Sequence, residues 1–89
     1  MTITVRLQAQ ARQLAGTGVV RLDLPTGASV SDAVTRLVEI HPALARLLLT
    51  QKGQVQPTLL LFRGDDQATA NDVLAEGEEL TVLAPMAGG

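Results

Sequence analysis

The sequence predicts an α+β fold, a mixed sheet covered on one face by a single main helix. Three observations predict it: two strand-like alternations near the start, one helix-period stripe with its own start signal, and two further strand-like segments before a short tail. Eighty-nine residues, 46% of them hydrophobic, suit one core and leave no room for a second. We expect a domain over residues 1–84 and a flexible tail over residues 85–89.

Residues 2–9 place Ile3, Val5, Leu7 and Ala9 on one face and Thr2, Thr4, Arg6 and Gln8 on the other, the period of a half-buried strand. A helix-like piece over residues 10–15 and a turn at Gly16-Thr17-Gly18 lead to a second alternation through Val20, Leu22 and Leu24. These strands form a hairpin with a long connection. Pro25-Thr26-Gly27 ends the second strand, and Ser29 followed by Asp32 is a helix start signal. Val30, Ala33, Val34, Leu37, Val38 and Ile40 then recur at helical spacing, opposite Ser31, Asp32, Arg36 and Glu39. His41-Pro42 interrupts this helix, because the residue before proline avoids the α region. Residues 43–49 predict a second short helix or an extension of the first at an angle, ending by Lys52-Gly53. The near-continuous apolar run over residues 57–62 suits a strand buried on both faces or covered by a partner. Arg63-Gly64-Asp65-Asp66 reads as a turn, residues 71–74 as at most one helical turn, Glu76-Gly77-Glu78 as a turn, and residues 80–84 as the last strand. The outer face of such a sheet is open to partners.

Composition excludes several classes of function. Seven basic residues against nine acidic ones give net −2, without the basic excess that a phosphate backbone requires, so no nucleic acid partner is expected. There is no cysteine, hence no disulfide, thiolate zinc site or cysteine nucleophile. A reducing cytoplasm is compatible with that. No run approaches the ~18 apolar residues that span a bilayer, and the start lacks a signal-peptide pattern, so we expect a soluble, unprocessed chain with no membrane partner. Phe62 is the lone aromatic residue, which leaves an aliphatic core and no stacking platform. His41, beside Pro42, reads as a helix-end residue with no catalytic partner. Asp65, Asp66, Glu76, Glu78 and Glu79 lack calcium-loop spacing and read as solvated turn charges, with the acidic turn able to steer a basic patch on a partner. No metal or bound cofactor is expected.

Chemistry therefore falls to the tail, Pro85-Met86-Ala87-Gly88-Gly89. Two glycines put an α-carboxylate at the tip of a thin strand that can enter a narrow channel. A carboxylate is a poor acyl donor until it is joined to AMP; sulfide from a persulfide can then displace the nucleotide and leave –CO–SH. At about 7% glycine usage a terminal pair arises by chance in roughly 0.5% of chains. Its weight comes from its combination with small size, strand order and a strand that ends five residues earlier. Leu83 points outward if Leu80 and Val82 point inward, and with Met86 it is the first choice for a docking contact. Pro85 and Ala87 complete the docking segment.

Two stretches carry a resemblance. The segment from Glu76-Gly77-Glu78-Glu79 through Leu80-Thr81-Val82-Leu83-Ala84 to the diglycine resembles the acidic turn, last strand and proline-containing tail of the MoaD/ThiS sulfur carriers, which share the ubiquitin-like β-grasp fold. Ala9-Gln10-Ala11-Arg12-Gln13-Leu14-Ala15-Gly16 is similar to the A-x-x-R-x-L-x-G stretch of molybdopterin synthase small subunits. The resemblance implies that an E1-like (MoeB/ThiF-type) enzyme uses ATP to adenylate Gly89 and that a sulfurtransferase or persulfide donor supplies sulfur. It further implies that the thiocarboxylate enters an acceptor, the molybdopterin synthase large subunit, in molybdenum cofactor biosynthesis. The chain itself would be a carrier and not an enzyme. Where many relatives read V-N-G this chain has Phe62-Arg63-Gly64, and Gln8 replaces a common aromatic residue; both places are expected on or near the surface that meets partners. A carrier for thiamine, cysteine or another sulfur product, a modifier of protein lysines, and an interaction domain without terminal chemistry are the alternatives.

Overall fold

In the first strand, Ile3, Val5 and Leu7 are buried while Thr2, Arg6 and Gln8 face solvent, so the inside and outside of the sheet are set within seven residues. The computed structural model describes residues 1–84. They form β1 (Thr2–Gln8), α1 (Ala9–Ala15), β2 (Val19–Asp23), α2 (Val30–Ile40), a 3₁₀ turn (Pro42–Leu44), α3 (Ala45–Leu48), β3 (Leu60–Arg63), β4 (Asp66–Gln67) and β5 (Glu79–Leu83). The sheet order is β2-β1-β5-β3-β4. Only β1 and β5 run parallel; the other neighbours are antiparallel. This is the β-grasp arrangement, a mixed sheet wrapped around one main helix.

The main helix starts where its signal lies. Ser29 Oγ accepts from the Asp32 N–H at 3.2 Å and the Ser29 N–H donates to Asp32 Oδ2 at 2.9 Å, a closed capping box. Val30, Ala33, Val34 and Leu37 are fully buried against the inner sheet face of Ile3, Val5, Leu22, Leu80 and Val82. The helix ends at His41, whose N–H donates to the Leu37 carbonyl at 2.8 Å, and Pro42 opens the 3₁₀ turn. Leu44 and Leu48 carry the core beyond it. Val38 and Ile40 sit about 80° to either side of the stripe at 3.6 residues per turn. Val38 is half-buried, and Ile40 is exposed.

Four expectations change. Ala9, placed in the predicted strand, is the start of α1: it is exposed and holds a left-handed φ of 53°, because β1 passes into α1 with no intervening loop. The apolar run is buried on one face only. Leu59 and Leu61 point into the core, while Leu60 and Phe62 are half-buried on the outer face, since helices cover a single side of the sheet. The turn after it is shorter than Arg63-Gly64-Asp65-Asp66: Asp66 and Gln67 pair back onto Arg63 and Phe62 as a fifth strand, and Gly64 takes the left-handed φ of 58° that so tight a reversal needs. Residues 71–74 make no helix. A Thr69–Asp72 turn, with Asp72 Oδ2 accepting the Thr69 N–H, leads into a bridge between Val73 and Ser29.

Leu37→Ala removes the side chain that α2 inserts into the sheet. We expect a loss of about 2–5 kcal/mol, read as a lower urea midpoint at unchanged slope. Ser29→Ala, which opens the capping box, costs about 1 kcal/mol in the same assay.

Candidate functional site

β5 carries the chain to its tail from the middle of the sheet. Leu80 and Val82 are buried, so strand alternation turns Thr81 and Leu83 to the outer face. Leu83 is the last residue of β5, opposite Gln8 of β1 on one side and Leu60 of β3 on the other. It points outward, and these neighbours leave it half-buried. Ala84 turns back into the core at 4% exposure. Pro85, Met86, Ala87, Gly88 and Gly89 lie outside the described residues.

Leu60 and Phe62 complete the surface around Leu83. Leu60 is its direct cross-strand partner, and Phe62, opposite Thr81, is its diagonal neighbour. Three half-buried apolar side chains thus gather on the outer face where the chain leaves the sheet. The sequence reading missed Leu60 and Phe62 because a continuous apolar run hides strand alternation. A helix layer on one side only was the signal that could have found them. Gln8 stands exposed on the same face, opposite Leu83.

The acidic turn is a clamp and not a set of solvated charges. Glu76 Oε2 accepts the Thr2 N–H at 2.6 Å, and the Gly77 N–H donates to the Thr2 carbonyl at 2.8 Å. Glu78 takes Arg63 Nε at 2.6 Å and Nη2 at 2.8 Å, plus the Ala75 N–H at 2.7 Å. Glu79 pairs with Arg6 at 2.7 Å across the outer face, where both side chains are about half exposed and the pair contributes little. Arg63 therefore faces away from the Phe62 side of β3, and its guanidinium is committed within the molecule.

The twin hydrogen bonds from Arg63 hold the Glu78 carboxyl below its ordinary range despite partial desolvation, and Glu78 in return raises Arg63. Asp72 is lowered by hydrogen bonds from the Thr69 backbone and hydroxyl. His41 serves α2 through its backbone, as expected. Among the described residues, no group of three or more His, Cys, Asp or Glu is placed to hold a metal ion, and no helix is long and apolar enough to cross a membrane.

Because the folded pKa of Glu78 lies below its unfolded value, its contribution to stability is present above the ordinary carboxylate range and is lost as pH falls through the folded value. Glu78→Gln should lower the urea midpoint at neutral pH. The gap to the unmodified protein should close on acidification.

No protein-family model matches the chain. It is 32% identical over 84 residues to small archaeal modifier protein 1 of Haloferax volcanii, covering 94% of this chain and 97% of that protein. It is 27% identical over 91 residues to the molybdopterin synthase sulfur carrier subunit of Chlamydomonas reinhardtii, over the whole of both. The crystal structure of SAMP1 from Haloferax volcanii superposes with a TM-score of 0.92 at 30% identity, with full coverage of both chains. These relatives are named as carrier or modifier proteins, and this chain is likewise not an enzyme. Its topology, its full-length match and its last strand together make it a member of the MoaD/ThiS family of ubiquitin-like sulfur carriers and modifiers.

Proposed function

We propose that this chain is a sulfur carrier whose Gly89 carboxylate is activated by an E1-like (MoeB/ThiF-type) enzyme and converted to a thiocarboxylate, most directly for molybdopterin synthesis. The carrying observation is the end-to-end match to a molybdopterin synthase sulfur carrier subunit. A carboxylate oxygen of Gly89 attacks the α-phosphorus of ATP and releases pyrophosphate. Persulfide sulfur from a sulfurtransferase then attacks the acyl carbon and releases AMP, and reductive cleavage of the resulting disulfide by a thiol leaves the thiocarboxylate. The chain contributes a Cβ-free end, Gly88-Gly89, and a surface that presents it. ATP is consumed by the partner, which suits a cytoplasmic site of action. The acceptor in this reading is the large subunit of molybdopterin synthase.

Leu60, Phe62 and Leu83 support the docking half of the proposal. An apolar patch beside the departing chain can seat a partner while residues 85–89 reach its active centre. Pro85, Met86 and Ala87 would line the entrance. A second reading, attachment of Gly89 to lysines of other proteins, is favoured by one observation, the 32% identity to a modifier protein.

Intact mass spectrometry after incubation with an activating enzyme, ATP and a sulfur source tests the proposal. Exchange of one oxygen for sulfur, localised to Gly89, is expected. Covalent adducts to other proteins without that exchange would favour the modifier, and a Gly89 deletion with undiminished activity would sink both readings. Phe62→Glu should weaken binding to the activating enzyme by about tenfold, a loss of about 1.4 kcal/mol, with the circular dichroism spectrum unchanged.

A further inference from the structure

We propose that β2 is a self-complementary edge through which two copies of this chain pair antiparallel, Arg21 of each opposite Asp23 of the other. β2 is the last strand on its side of the sheet. The Met1 and Leu24 backbones exchange both hydrogen bonds, and the Leu7 N–H donates to the Gly18 carbonyl. Antiparallel alternation then turns the N–H and C=O groups of Val20 and Leu22 toward β1 and those of Val19, Arg21 and Asp23 toward the open side.

Those three outward positions are not equivalent. Thr17 Oγ1 donates to the Val19 carbonyl at 3.1 Å and accepts the Val19 N–H at 3.3 Å, so this end of the edge is capped by its own side chain. Pro25, just past the other end, has no N–H to offer. Free pairing capacity is confined to Arg21 and Asp23. An antiparallel copy that uses only these residues must set Arg21 against Asp23 twice, with Leu22 opposite Leu22 on the two-fold axis. Four backbone hydrogen bonds follow.

Charge selects the same register. Arg21 and Asp23 are both exposed and lie on the outer face, and neither belongs to the ion pairs among the described residues, which join Arg6 to Glu79, Arg36 to Glu39 and Arg63 to Glu78. The crossed register brings each Arg21 opposite an Asp23, a favourable cross-strand pair. A shift by two residues would set Arg21 against Arg21 and spend a bond on the capped Val19. The paired sheets would run continuously through ten strands and leave the Leu60, Phe62 and Leu83 patch uncovered.

Sedimentation velocity of the full chain at low ionic strength, from about micromolar to about millimolar concentration, tests this. The mass should rise with concentration to that of a dimer, and added salt should reverse the rise. Arg21→Asp and Asp23→Arg should each weaken the dimer by about tenfold or more, and the combined R21D/D23R chain should recover it. A monomer at every concentration, a dimer indifferent to either single reversal, or a double variant as weak as the single ones would overturn the proposal.

Discussion

Between β1 and β5 the chain's first strand lies parallel to its last, and the rest of the sheet is built outward from that ladder. Val5 faces Leu80 and Leu7 faces Val82 in register, all four buried in the core. Strands so far apart in sequence carry a large loop-closure cost, and a slip of one residue would turn Leu80 and Val82 out to solvent. The acidic turn holds the register. Glu76 and Gly77 grip Thr2, the Glu78 carbonyl accepts the Thr4 N–H, and Glu79 reaches Arg6. Glu78, meanwhile, ties the turn to β3 through Arg63. Charges that read as solvent-facing decoration thus set where Leu83 points.

Much of the fold was legible because its signals are local. The Ser29 and Asp32 box, the α2 stripe and the alternations of β1, β2 and β5 each depend on residues within one turn or one strand. What escaped depends on distant partners. Asp66 and Gln67 have no strand character of their own and become β4 only because Phe62 and Arg63 offer an edge. Ala9 continues the alternation of β1 perfectly well, yet the chain must turn there to bring β2 back. The Leu59 to Phe62 run does not disclose by itself which of its residues face inward; its register on β5 sets Leu61 opposite buried Val82 and leaves Leu60 and Phe62 outward.

The site divides along the same line. That Leu83 faces outward followed from strand period, and that its neighbours are Leu60 and Phe62 followed only from the antiparallel β3–β5 register. Arg63, one residue from that patch, belongs to the clamp instead. The chain's place among small carrier and modifier proteins rests on its full-length relatives.

The parallel β1–β5 ladder also has a mechanical meaning. A pull on the residues after β5 would load that strand along its own axis, where it is held between β1 and β3. A load along the strand falls on all the hydrogen bonds of the β1–β5 ladder together, in shear, and does not peel them one at a time. The same geometry that makes the sheet costly to close lets the domain be tugged by its end and stay folded.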